Sequence, residues 1–347
     1  MKSSFISSIV LASQVFALPS TPEVRANTAV KYAGVNIAGF DFGMVNGTQN
    51  MATVEPPLTA LGGPDGAGQM SHFVKDDNLN IFRLPVTWQY LSNNNVGTFD
   101  TTKVANYDKL VQACLSTGAT CIIDIHNYAR WNNGIIGQDG PSASSFVQLW
   151  TQLATKYKSS TKIAFGVMNE PNYLDINTWA NTVQQVVTAI RNAGATSQMI
   201  LLPGTGSSSA GEFVSGSAPA LSTVKNVDGS TTNLIFDVHQ YLDYDYSGQN
   251  VECVRDNIAG AWQPLANWLR QYKRQALNTE TGGGNTASCE KYLCSAINFM
   301  NSNTDVFLGY VAWSAGSFDS TYELDLTPVW SGSAWTDTAL MKACIAR

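Results

Sequence analysis

Ile163-Ala-Phe-Gly-Val-Met-Asn-Glu-Pro171 is a short apolar run that ends on an amide, a carboxylate and a proline. The proline stops the run and fixes its own φ angle, so strand gives way to loop there. Helical periodicity flanks it on both sides. Phe146, Leu149, Trp150, Leu153 and Tyr157 form one apolar stripe upstream. Trp179, Val183, Val186, Val187 and Ile190 form another downstream, and both stripes read as core. Helix, strand, helix is the repeating unit of a parallel sheet with crossover helices.

The same unit recurs in both directions. Strand candidates are Tyr32–Phe40, Asn80–Val86, Thr120–His126, Ile163–Asn169, Met199–Gly204, Leu234–Tyr241, Ala276–Glu280 and Phe307–Trp313. A further helical stripe carries Tyr107, Leu110, Val111, Cys114 and Leu115, and a last helix carries Leu340, Met341 and Cys344. Eight strands with helical connections predict an α/β fold, a single-domain (β/α)8 TIM barrel over residues 31–347. A doubly wound sheet is the competitor. It usually needs a glycine-rich phosphate turn after the first strand, and Asn36-Ile-Ala-Gly39 does not match one.

Bulk composition narrows the function. The chain has 347 residues, 44% hydrophobic and only 13% charged, with a net charge of −6. No cluster of Lys and Arg is present, which argues against a nucleic-acid partner. Lys2 followed by the apolar run Phe5–Phe16 and small residues at Ala17 and Ser20 reads as a secretory signal, placed at 1–17. Residues 18–30 read as a short polar segment subject to trimming. No other run is long enough to span a membrane, so a secreted, soluble protein is expected, and with no obvious exposed apolar stripe, a monomer. Six cysteines fit an oxidising destination. They allow 15 pairings, among which spacing cannot choose, although Cys114 and Cys121 flank one turn. Asn46-Gly-Thr48 is an N-glycosylation sequon on an expected loop.

In a barrel the loops after the strands form the functional face. Nearly every strand candidate ends on a polar or aromatic side chain: Arg83, His126, Asn169 with Glu170, His239 with Tyr241, Glu280 and Trp313. Any one of them has a bland reading as a satisfied core group or a solvated loop charge. The full set on one rim does not. A carboxylate beside an amide donor, as in Asn169-Glu170, is the pairing that sugar hydrolysis uses. Leu277-Asn-Thr-Glu280 is followed by Thr281 and three glycines, small residues that let a substrate approach the backbone.

With Arg83, His126, Asn169, Glu170, His239, Tyr241, Glu280 and Trp313 in that order, the chain resembles glycoside hydrolase family 5. The likeness to its fungal endo-β-1,4-glucanases, or cellulases, runs from Tyr32-Ala-Gly-Val-Asn-Ile-Ala-Gly-Phe40 to Cys344. The resemblance implies a retaining enzyme acting on β-glucan polysaccharide, with Glu170 as acid/base and Glu280 as nucleophile. Glu170 then has to begin protonated and Glu280 ionised. It implies that Arg83 and Tyr241 bond Glu280 and that Asn169 holds a sugar 2-hydroxyl. His126 and His239 complete a polar floor, with His239 near Glu170, and Trp313 offers a flat face to the sugar. It implies disulfides Cys114–Cys121, Cys253–Cys289 and Cys294–Cys344, and no metal or organic cofactor. Asp243 and Asp245 read as loop charges. Fungal relatives often carry a cellulose-binding module and a Ser/Thr/Pro linker before the barrel, and neither is seen here, so soluble or amorphous β-glucan is the expected substrate class. The same barrel and catalytic set serve β-mannanases and β-1,3-glucanases, which is the first alternative. A non-catalytic carbohydrate-binding barrel is the second, disfavoured by the intact set.

Overall fold

The computed structural model describes residues 29–61 and 63–347, so the expected signal at 1–17 and most of the 18–30 segment lie outside the described residues. Val30, at the end of that segment, is already in the core, and its carbonyl accepts from Arg347 at 2.7 Å. The packed unit therefore starts before residue 31.

All eight expected strands form: β1 Tyr32–Ala38, β2 Ile81–Val86, β3 Thr120–Ile125, β4 Ile163–Gly166, β5 Met199–Pro203, β6 Leu234–His239, β7 Ala276–Glu280 and β8 Phe307–Gly316. They close in sequence order, with β1 returning to pair with β8, and every pairing is parallel. The fold is a (β/α)8 barrel, as the alternation of periods predicts.

Helices α1 Gly66–Asp76, α2 Thr101–Ser116, α3 Ala143–Tyr157 and α4 Ile176–Asn192 surround the first half. Helical segments α5 (210–221), α6 (258–272), α7 Ala287–Asn301 and the closing turn α8 Met341–Ile345 complete the ring. Asp65, Asp100, Ser142, Asp175 and Thr286 each accept a backbone N–H in the first turn that follows them, which is why the helices begin there. The apolar stripes on α3 and α4 are buried against the barrel. Their indoles also serve polar needs. Trp150 Nε1 donates to Val167 O and Trp179 Nε1 to Pro203 O, carbonyls at the ends of β4 and β5. The three disulfides are Cys114–Cys121, Cys253–Cys289 and Cys294–Cys344, the pairing the resemblance implied.

The barrel interior is layered by the two-residue period of its strands. Ile81, Ile122, Ala164, Leu201, Ile235, Leu277 and Val311 make an apolar floor. Two residues further along, β2, β3, β6 and β7 carry Arg83, Asp124, Asp237 and Thr279, all at most 1% exposed. The functional face stands on this polar layer.

Candidate active site

Arg83 is not at a strand end, as its place in the sequence had implied. It is the third residue of β2, fully buried, and its guanidinium reaches the residues at the mouth from there. Trp313 likewise lies mid-strand in β8, because that strand continues to Gly316. Arg83 Nη1 donates to Glu280 Oε1 at 2.5 Å and to Asn36 Oδ1 at 3.0 Å. Its Nη2 donates to Asn169 Oδ1 at 2.6 Å and lies 3.0 Å from Asp124 Oδ1. One guanidinium thus ties β1, β2, β3, β7 and the loop after β4 together.

Glu280 reaches this network through a bulge. Along the β6–β7 pair, Val238 faces Asn278 while His239 faces Glu280, so Thr279 is an extra residue. A bulge breaks the strict alternation of side chains, and both Thr279 and Glu280 turn toward the barrel centre. Thr279 Oγ1 bonds His239 Nε2 at 2.9 Å and also donates to Asp237. Tyr241 Oη donates to Glu280 Oε2 at 2.8 Å.

These neighbours set protonation states. Burial pushes the Glu280 carboxyl up, but the positive fields of His239, Arg83 and His126 and the Tyr241 hydrogen bond outweigh it and hold the group below its ordinary value. Burial lowers His239, yet Glu280, Glu170 and Asp237 more than reverse this, so its imidazolium form is favoured. His126 is raised in the same way by Asp124, against its own burial. Burial, reinforced by Glu280, keeps the Tyr241 phenol far above its usual range, so it remains a donor.

Glu170 sits beyond the end of β4 on backbone in the left-handed region, φ +42°. The bond from Asn169 N to Ile125 O at 2.8 Å and that from Ser207 N to Pro171 O at 3.0 Å hold this turn in place. Its side chain is 19% exposed, and Oε1 lies 2.9 Å from His239 Nδ1. His239 Nδ1 is also 3.6 Å from Glu280 Oε2. One oxygen of each glutamate and a nitrogen of His239 all lie within 4.8 Å of one another.

All eight site residues named from the sequence converge here. His126 Nδ1 bonds Asp124 Oδ2 at 2.8 Å, and its ring stacks on Trp313, 5.4 Å between centroids. Trp313 also lines the cavity beside Glu280. Trp313 Nε1 donates to Tyr322 Oη at 2.8 Å. The peptide between Trp313 and Ser314 is cis.

Several working residues escaped the sequence reading. Asp124 and Asp237 stand two residues before His126 and His239, so the Asp-x-His pattern repeated at the ends of β3 and β6 was a usable signal. Asn36, Thr279 and Tyr322 carried none, because their roles depend on distant partners. Asp243, read as a loop charge, is buried and accepts from Ser247, Gln249 and Asn250, closing its own loop.

The glutamates stand at the junction of two cavities that share Glu170, Asn172, Tyr173, Tyr241 and Ser247. One, about 650 Å³, runs past His239, Gln240 and Glu212. The other, about 600 Å³, runs past Glu280, Trp313, His126 and the hairpin Met44–Gln49. Together they form one groove across the barrel mouth. The sequon residue Asn46 is exposed on that hairpin. Tyr173 is 91% exposed between the two cavities, an aromatic platform that sequence alone left unplaced.

The sequence profile described as Cellulase (glycosyl hydrolase family 5) matches residues 35–316. The chain is 62% identical over 328 residues to endoglucanase EG-II of Hypocrea jecorina, covering 92% of this chain and 78% of that relative. It is 46% identical to endoglucanase 1 of Saitozyma flava, with 86% and 85% of the two chains covered. The crystal structure of Cel5A (EG2) from Hypocrea jecorina superposes with a TM-score of 0.90 at 62% identity, covering 92% of this chain and 99% of that one.

Proposed function

The chain belongs to glycosyl hydrolase family 5, and from that premise we propose that it is an endo-β-1,4-glucanase that cleaves internal bonds of β-glucan by double displacement. It is a glycoside hydrolase with a β-glucan polysaccharide as substrate. The observation that carries the mechanism is the carboxylate spacing. Retaining enzymes hold their two carboxyls ~5–5.5 Å apart, whereas inverting ones need roughly 6.5–9.5 Å to admit a water. Oxygens of Glu170 and Glu280 within 4.8 Å favour the first.

Glu280, kept ionised by Arg83, His239 and Tyr241, attacks the anomeric carbon. Glu170 gives its proton to the departing glycosidic oxygen, then removes one from the water that releases the glycosyl-enzyme. His239 bridges the two carboxyls and orients Glu170. Asn169 has its Oδ1 engaged by Arg83, which leaves Nδ2 to bond the sugar 2-hydroxyl. Trp313 carries the sugar bound at Glu280, and Tyr173 the sugars on the leaving side. A groove continuing on both sides of the glutamates accommodates the middle of a chain, and that is why internal cleavage is favoured over trimming of ends.

The reading includes export, supported by three disulfides, which persist in oxidising compartments. Among the described residues no helix is long and apolar enough to cross a membrane. It also includes a monomer, to be checked by light scattering.

The test of function is viscosity loss against reducing-end release on carboxymethyl cellulose, with galactomannan and laminarin in parallel. A fast viscosity drop per bond broken on carboxymethyl cellulose alone is the expected outcome. Higher rates on either of the other polymers would move the assignment to a mannanase or β-1,3-glucanase.

Tyr241→Phe tests the support of the nucleophile. A hydrogen bond to a charged group is worth ~1.5–3 kcal/mol, so kcat/KM should fall by roughly 10- to 100-fold. Tyr241 lowers the Glu280 pKa, so its removal raises it, and the acid limb of the pH profile should move to higher pH. An unmoved limb would show that Tyr241 does not hold the ionised form.

A further inference from the structure

We propose that His72, Asp77 and Asp337 form a binding site for one divalent first-row transition ion, with Zn2+ the best fit, on the outer wall of the barrel away from the cleft. His72 lies on α1, Asp77 caps the end of that helix, and Asp337 follows the hairpin strand Trp335–Thr336. None of the three lines the cleft.

Each offers one ligand atom, and these atoms lie within 4.8 Å of one another. His72 Nε2 is 2.8 Å from Asp337 Oδ1 and 3.7 Å from Asp77 Oδ2. Tetrahedral zinc with bonds of ~2.0–2.1 Å keeps its donors about 3.3 Å apart, between those two values. One imidazole and two carboxylates suit zinc or manganese, and zinc is the tighter binder of the two at such a donor set.

Two further features point to an ion. The other ring nitrogen, His72 Nδ1, is 2.6 Å from Asp76 Oδ2. A carboxylate on the far nitrogen fixes the tautomer that presents Nε2 to a metal. The second feature is Asp77 itself. Its side chain is buried to 8% exposure, and its Oδ2, turned toward His72 Nε2, has no hydrogen-bond partner. A buried charged oxygen without a partner needs an explanation. The protein's own groups do not supply one. An imidazolium has one N–H at each nitrogen, and those are directed to Asp76 and Asp337, so the third carboxylate is left over. The cluster holds more negative charge than its neighbours neutralise, and a divalent cation balances it.

Such an ion would clamp α1 to the last segment of the chain, 265 residues away, beside Trp335, whose ring stacks on His72. It would stabilise the folded barrel by binding it and not the unfolded chain.

The experiment titrates zinc chloride into EDTA-stripped, desalted full-length protein at pH 7.5, followed by calorimetry and thermal melting. Wild type, Asp77→Asn, Asp337→Asn and Glu280→Gln are compared, with folding checked by near-ultraviolet circular dichroism. Asp77→Asn removes no hydrogen bond at the orphan oxygen, so it provides a variant that folds. Expected are one Zn2+ per chain and a raised melting temperature in wild type and in Glu280→Gln. Each Asn variant should bind at least ~10- to 100-fold more weakly. Glu170, His239 and Glu280 form the other ligand-capable group among the described residues, which is why Glu280→Gln is included. No stoichiometric binding in wild type would overturn the proposal. So would a site that survives in both Asn variants, or one lost only in Glu280→Gln.

Discussion

Glu280→Gln is expected to lose at least ~10⁴-fold in kcat on carboxymethyl cellulose while keeping the wild-type fold. Glutamine has the shape of glutamate but cannot form the glycosyl-enzyme. Its amide oxygen can still accept from Arg83 Nη1, and Arg83 keeps Asn36, Asn169 and Asp124 around it. The buried guanidinium therefore retains an anion, Asp124, and escapes the cost of an unpaired internal charge. Binding of cello-oligosaccharides should persist, since Trp313, Asn169 and Tyr173 are untouched. The comparison reads viscosity loss for activity and calorimetry for oligosaccharide affinity. Activity within tenfold of wild type would place the nucleophile elsewhere. Loss of both activity and oligosaccharide binding would mean that Glu280 is needed to build the cleft rather than to do chemistry.

Glu170→Ala should separate the two halves of the reaction. General acid–base assistance contributes ~10²–10⁴-fold, and a substrate with a good leaving group needs little of it in the first step. The variant should therefore fail on cellulosic polymers by that factor yet still glycosylate Glu280 from a dinitrophenyl cellobioside. Release of the intermediate then becomes slow, because no base activates water. Azide needs no base, and the space vacated beside His239 admits it. Azide should accelerate turnover of the aryl substrate and yield a β-glycosyl azide in the variant but not in wild type. If azide leaves the variant's rate unchanged, Glu170 is not the acid/base. An α-glycosyl azide would instead contradict double displacement.

Much of the barrel is legible along the chain because its elements obey local periods. The stripes at 146–157 and 179–190 repeat with helical spacing, and the run between them has strand length and ends in proline. Boundaries were less legible. β4 ends at Gly166, not Asn169, because beyond it the chain leaves the regular ladder and keeps only isolated bonds such as Asn169 N to Ile125 O. β8 runs on past Trp313 to Gly316, where it still pairs with Ala38 of β1.

By itself the sequence determined the fold class, the eight strands, the core faces of the helices and the identity of the polar residues at the barrel mouth. Each of these depends on neighbours within a turn or two of chain, or on a motif read as a word. The tertiary structure alone decided what those residues do to one another. Arg83 meets Glu280 across 197 residues, His239 meets Glu170 across 69, and His72 meets Asp337 across 265. The bulge that turns Thr279 and Glu280 the same way depends on the register of β6 against β7, and no pattern within β7 records it. Protonation state follows from distance and burial in space. A one-dimensional period carries neither.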